Sequence, residues 1–121
     1  MQKATRISVY EVVGSPLCVA SDDGQKVHDR LAVALSNGRP VLLSFHNVST
    51  MTSAFLNAAI GQLYGNFSEE KVRSLLKVED IEPQDAGLVK RVVETAKHYF
   101  QDRQRFDQAV REVLEDDDDD T

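Results

Sequence analysis

A short apolar run, Val41–Phe45, constrains the fold of this chain more than any other feature. It reads VLLSF and is opened by Pro40. A short, nearly all-apolar run that follows a turn is typical of a central strand covered on at least one face. Because side chains alternate along a strand, we expect Leu43 and Phe45 to face opposite to Leu42.

Strand and helix patterns alternate along the rest of the chain. Alternation at Arg6–Val13, with a stop at Gly14, predicts a first strand, and Leu76–Ile81 predicts a last one. Helical periodicity or helix-start signals predict helices that begin near Asp22 (with Gln25 as a capping box), Ser53, Ser68 and Pro83, and a further one around Phe106–Leu114 after a break near Gln101-Asp102. This order predicts an α/β fold: a small mixed, largely parallel sheet with helices mainly on one face.

The acidity of the chain is concentrated at its end. The net charge is −6, and Glu115–Asp120 is a run of six acids, without which the remaining 14 carboxylates equal the 14 Lys and Arg. A neutral body with an acidic end does not suit nucleic acid, which requires a basic surface. We predict a single domain at 1–114 and a disordered acidic tail at 115–121.

Other bulk features point to the cytoplasm. No apolar run approaches the roughly 18 residues of a membrane span, and the first residues do not resemble a signal peptide. The one cysteine, Cys18, cannot form an internal disulfide, which suits a reducing compartment.

No catalytic or metal motif is legible. His28, His46 and His98 lack metal-ligand spacing, Ser53 lacks a nucleophile elbow, and Cys18 suits a small buried apolar position. The glycines form no phosphate loop. We expect no metal, no cofactor and no enzymatic activity.

A cluster of hydroxyls, Ser49-Thr50-Met51-Thr52-Ser53, precedes the apolar helix. In one interpretation, Thr52 or Ser53 is the N-cap of that helix, and the others are turn residues. In another, the helix N-terminus tolerates a phosphate, which would add up to about two negative charges to a docking face. The sequence leaves both open.

The stretch VLLSFHNVSTMTSAFLNAAIG resembles the centre of a STAS domain, the fold of bacterial anti-sigma-factor antagonists. In those proteins a strand and a short loop lead to Asp-Ser-Ser-Gly, whose first serine is phosphorylated by a partner kinase. In this alignment Ser53 takes the place of the phosphorylated serine. Thr52, Ala54 and Phe55 take the places of the aspartate, second serine and glycine.

The chain is more closely similar to STAS-like domains of unknown function, over roughly residues 7–100. The resemblance implies a non-catalytic regulatory protein-interaction module of a bacterial signalling system, switched by phosphorylation near Ser53. It also implies a histidine-kinase-like ATP-binding protein as partner. The candidate partner or anion contacts are Asn47, Ser49, Thr50, Thr52 and Phe55, although Phe55 also suits the core.

An alternative from another class stays open. The helix N-terminus at Thr52-Ser53 would also suit a small-molecule or nucleotide-binding domain. Such a domain needs a concave pocket with converging polar groups, whereas a docking face is flat or convex with exposed apolar residues. The sequence does not define the oligomeric state.

Overall fold

A computed structural model describes residues 4–119 of the chain, with side chains as far as Leu114. Its strands are β1 (Thr5–Ser8), β2 (Leu17–Cys18), β3 (Val41–Ser44), β4 (Thr50–Met51) and β5 (Leu76–Glu79). Its α-helices are α1 (Val9–Val13), α2 (Ser21–Ser36), α3 (Ser53–Leu56), α4 (Leu63–Asn66), α5 (Glu69–Leu75) and α6 (Pro83–Asp119). A π-helical turn, Asn57–Gly61, joins α3 to α4.

The strands form two small sheets in which every described pairing is parallel. Three strands lie in the order β1-β3-β5, and β2 pairs with β4. Strand β3 is therefore central, as its apolar sequence predicts, and Phe45 is buried directly after it. The predicted α/β class with a largely parallel sheet is confirmed.

The two faces of the main sheet differ sharply. On one face Ile7, Val41 and Leu43 join the core, which they share with apolar residues of α2, the 53–66 segment, α5 and α6. On the other face Leu42 is only half-buried, between exposed Arg6 and Lys77 in the register. The predicted alternation of Leu42 and Leu43 is thus confirmed, and the helices pack mainly on one face.

A polar network links all three strands across the open face. Arg6 donates from Nε to Glu79 at 2.8 Å and from its terminal nitrogen to Ser44 Oγ at 3.1 Å. Ser44, which is fully buried, donates in turn to Asp80 at 2.9 Å. The buried hydroxyl is therefore hydrogen-bonded, as a polar group inside a sheet must be.

The prediction of one strand over Arg6–Val13 is wrong beyond Ser8. The Ser8 side chain accepts a hydrogen bond from the Glu11 backbone at 3.2 Å and so caps α1. Gly14 ends α1 in the left-handed region, at φ 80°. A hydroxyl cap and a C-terminal glycine outweigh the strand propensity of the valines.

The capping box predicted at Asp22 and Gln25 is also wrong. Helix α2 begins earlier, after Ala20, which makes no side-chain cap. The Gln25 side chain instead donates to Asp29 at 2.9 Å, one turn further along. Gly24, near the start of α2, lies in close contact with Phe55 of α3.

No break occurs near Gln101-Asp102, because α6 is continuous from Pro83 to Asp119. The chain holds no Gly or Pro beyond Gly87 to interrupt the backbone, and a change in apolar spacing alone does not end a helix. The side chains of 115–119 and all of 120–121 lie outside the described residues. The disorder predicted for 115–121 therefore stays a prediction.

Two adjacent leucines provide a test of this sheet. Leu43→Asp should abolish cooperative thermal unfolding monitored by circular dichroism. Its carboxylate would be buried unpaired at a cost of several kcal/mol, against a typical total stability of about 5–15 kcal/mol. Leu42→Asp should keep a cooperative transition, because the new carboxylate would lie between Arg6 and Lys77 on the open face. Equal melting curves for the two variants would contradict this assignment of faces.

Candidate functional site

The loop between β3 and α3 carries most of the predicted site residues. It turns sharply at Asn47, whose φ of 69° lies in the left-handed region that asparagine tolerates. The Ser49 backbone and hydroxyl both donate to the carbonyl oxygen of Pro16, at 2.9 and 3.2 Å. Ser49 and the exposed Thr50 are thus held against the segment before β2.

Thr52, and not Ser53, is the N-cap of α3. Its hydroxyl oxygen accepts from the Phe55 backbone N–H at 3.2 Å and donates to the Val19 carbonyl oxygen at 2.7 Å. The cap therefore also links the helix to the segment between β2 and α2. Ser53 is the first helical residue, and its side chain is exposed.

Phe55 belongs to the core. It is fully buried, so its side chain is not available as a docking contact. Gly24 of α2 lies against this turn: a Cβ added there would be 2.4 Å from the Phe55 carbonyl oxygen and 2.9 Å from Ala58 Cβ. The absence of a side chain at position 24 therefore sets how closely α2 approaches the start of α3.

The 53–66 segment runs alongside α6 in the same direction. A Cβ at Gly61 would be 3.5 Å from Ala96 Cβ, and one at Gly65 would be 2.5 Å from the Phe100 ring. The π turn lies in the middle of this contact, and the Asn57 side chain folds back against Gly61. Such turns are frequent at functional positions of helices.

An open groove of about 790 Å³ lies between the start of the 53–66 segment and α6. We call it the α6 groove. Its polar lining includes Ser53, Asn57 and Thr95, and among residues 4–114 its charged lining consists of Arg91 and Arg103, with no carboxylate. The rest is mainly apolar or aromatic: Ala54, Leu88, Val92, Ala96, Tyr99 and Phe100. The groove can therefore accept a group that is both anionic and partly apolar.

The predicted site residues do not converge. Of the six, Ser53 alone lines the α6 groove. Asn47 lines a smaller hollow of about 120 Å³ whose acids are Asp80, Glu82 and Asp85. Sequence reasoning missed Arg91 and Arg103, although both lie on the helix with the clearest apolar stripe.

Other groups weighed in the sequence lie apart from the groove. Cys18 is fully buried, and burial, assisted by Asp23, raises its pKa to about 11. At neutral pH it is thus a thiol and a poor nucleophile. Among residues 4–114 no group of three His, Cys, Asp or Glu side chains is placed to hold a metal ion.

His28 is buried, and its Nε2 lies 3.3 Å from the Asn66 amide nitrogen. It is therefore a packed residue between α2 and α4. In the described part of the chain, no helix is long and apolar enough to cross a membrane.

The comparison with known families agrees with this fold. Residues 23–86, just over half of the chain, match the model of the STAS-like domain of unknown function (DUF4325), and the chain belongs to this family. No curated protein and no solved structure matches. The matched segment contains Ser53 and one wall of the α6 groove, whereas Arg91 and Arg103 lie beyond it.

Gly24 offers a test of the approach between α2 and α3. Gly24→Ala should lower the free energy of unfolding by about 1–3 kcal/mol, the usual cost of overpacking a close contact. Gly87→Ala is the matched control: it is also helical, nothing lies within 4 Å of its Cβ, and it should stabilise by roughly 0.5–1 kcal/mol. Urea unfolding measures both, and effects of the same sign would contradict the packing described here.

Urea unfolding should also distinguish the contributions of the Thr52 and Ser53 hydroxyls to stability. Thr52→Ala should cost about 1–2 kcal/mol, because it removes the cap of α3 and the bond to Val19. Ser53→Ala should change stability by less than about 0.5 kcal/mol, as is usual at an exposed position. A larger loss at Ser53 than at Thr52 would identify Ser53 as the cap instead.

Proposed function

We propose that this STAS-like domain is a non-catalytic, regulatory protein-interaction module of a bacterial signalling system, working in the cytoplasm. Its contact surface is the loop from Asn47 to Ser53 together with the α6 groove. The observation that carries the proposal is the position of Ser53. It is exposed, is not needed as the cap, and lies in a groove whose charged lining side chains are both arginines.

Phosphorylation of Ser53 is the proposed switch. An ATP γ-phosphoryl group would be transferred to Ser53 Oγ, with loss of the hydroxyl proton and release of ADP. The product would carry about −1.5 to −2 charges beside Arg91. Charge-assisted hydrogen bonds to a guanidinium are strong. The phosphate would therefore bind Arg91 and Arg103, which would otherwise contact the partner. Binding should then weaken through lost contacts and through repulsion of acidic partner groups.

The proposed partner is a histidine-kinase-like ATP-binding protein. This rests on the resemblance of the strand–loop–helix segment to the phosphorylated segment of STAS domains. A non-catalytic role is supported by the environment of Ser53. The charged side chains described in its groove are Arg91 and Arg103, and a guanidinium stays protonated and does not act as a general base.

The experiment compares the wild-type chain with variants that each carry one substitution at an exposed serine. Wild type, Ser53→Asp, Ser53→Ala and Ser74→Asp would each capture partners from an extract of the native cells. Mass spectrometry would then identify the partners and any phosphoserine. The Ser74 variant is the charge control, because it adds an acid to the exposed side of α5, outside the α6 groove.

The switch predicts that Ser53→Asp alone loses the captured ATP-binding partner, with affinity reduced by about tenfold or more. Ser53→Ala should bind normally and resist phosphorylation by that partner. Equal affinity of wild type and Ser53→Asp would end the switch proposal. If no bait captures an ATP-binding protein, the proposal of such a partner is wrong.

A second candidate function has one observation in its favour. The α6 groove is concave, and Ser53, Asn57, Arg91 and Arg103 all border it, as the site of an anionic small molecule or nucleotide requires. Calorimetric titration with ATP, ADP and inorganic phosphate tests this. Binding that disappears in Arg91→Ala, but not in the distant Arg39→Ala, would support a ligand site over a docking surface.

A further inference from the structure

The second half of α6 extends beyond Ala96, the last residue that is buried among those described on this helix. Every described side chain from 101 to 114 is exposed. The helical part from 101 to 119 would extend about 28 Å at 1.5 Å per residue. In proteins most of the stability of a helix comes from tertiary packing of its apolar face. Packing of the 101–119 part of α6 against another surface would therefore stabilise it.

The projecting half carries an apolar stripe. Phe106 is 68% exposed, Val113 60%, Leu114 58% and Val110 41%. Large apolar side chains gathered on one face usually mark an interaction site. The same face continues back into the α6 groove, since its residues recur at steps of three or four. We call this set the α6 stripe: Leu88, Val92, Thr95, Tyr99, Arg103, Phe106, Val110 and Val113.

The chain thus contains both a groove and a helix that would fill it, but one molecule cannot bring them together. The groove is walled by α6 itself, and α6 is a continuous helix. Its projecting end cannot fold back onto its own first half. A second copy of the chain has no such restriction.

The α6 stripe is self-complementary about a point between Tyr99 and Arg103. In an antiparallel pair centred there, Leu88 faces Val113 of the other copy and Val92 faces Val110. Thr95 likewise faces Phe106. Tyr99 faces Arg103, a pairing that suits stacking of a guanidinium on an aromatic ring.

We propose that two copies of this chain associate through antiparallel packing of their α6 helices, each projecting half lying in the α6 groove of the other. Such a pair is a closed twofold arrangement, in which the same patch of both copies is buried. Because the partner proposed above would meet the same groove, self-association and partner binding would compete for it. Self-association is therefore tested with the isolated chain, where its outcome does not depend on the partner.

Charge favours the antiparallel over the parallel arrangement. The α6 stripe is followed in the sequence by the six acids Glu115–Asp120. A parallel pair would place these two acidic runs side by side and would leave both grooves empty. Like charges in contact disfavour an interface. The antiparallel pair separates the two acidic runs and places each beside the start of the other α6, where the helix dipole is positive and Glu82 and Asp85 contribute two acids rather than six.

Sedimentation equilibrium of the full chain tests association. Wild type should be a dimer at concentrations on the order of 100 µM. Phe106→Asp/Val110→Asp should weaken the dimer by about 100-fold or more, because it places unpaired carboxylates in the seam. The control is Val33→Asp on α2, which also replaces an exposed valine (64%) but lies outside the stripe. It should remain dimeric, and circular dichroism should show that all variants are folded.

Orientation is tested by disulfide formation between introduced cysteines, since the native Cys18 is buried. A mixture of Leu88→Cys and Val113→Cys chains should form a mixed disulfide, and neither chain alone should cross-link efficiently. Wild type that stays monomeric, or a dimer insensitive to the Phe106/Val110 variant, would overturn the proposal. So would efficient cross-linking of Val113→Cys with itself, since that requires a parallel pair.

Discussion

The fold depends on burial of one face of a single short strand. Strand β3 hydrogen-bonds to β1 and β5 along both of its edges, and Val41 and Leu43 are fully buried beneath the helices. Parallel strands cannot be joined by tight turns, so each crossover must leave the sheet and return. Helices α1 to α5 lie in those crossovers and α6 follows the last strand, and their apolar faces meet over β3. The loop that carries the candidate site begins where this strand ends.

Close contacts between helices then position the 53–66 segment, which carries Ser53, above this sheet. The 53–66 segment packs between α2 and α6, and glycines lie at both contacts. Gly24 of α2 faces the segment on one side, and Gly61 and Gly65 of the segment face α6 on the other. At Gly24 the missing side chain lets α2 approach the Phe55 carbonyl oxygen closely, and at Gly65 it makes room for the Phe100 ring. Thr52 adds a hydrogen-bonded link to Val19 at the start of the segment. The position of Ser53 is thus set by packing on two sides and by the neighbouring cap.

The sequence was informative where a pattern had one physical interpretation. The run at Val41–Phe45 predicted a covered central strand, and the hydroxyls before Ala54 predicted a helix start. It failed where two local signals competed: at Ser8 a cap converted valines with strand propensity into a helix, and at Gln101 the apolar spacing suggested a break that the backbone does not make. The α6 groove was beyond reach because Ser53 and Arg91 become neighbours only through tertiary packing. No local pattern records that the two helices run side by side.

The π turn at Asn57–Gly61 sets the direction of the Ser53 side chain relative to α4. Each residue of an α-helix advances the side-chain direction by about 100°, so the extra residue of a π turn rotates everything before it relative to everything after it. Leu63 and the α6 contact define the direction of the second half, and the turn sets the phase of the first half independently. A lineage that lost one residue here would keep an unbroken helix and a packed α4. Its serine, however, would be rotated by about 100° relative to α4 and would no longer line the α6 groove.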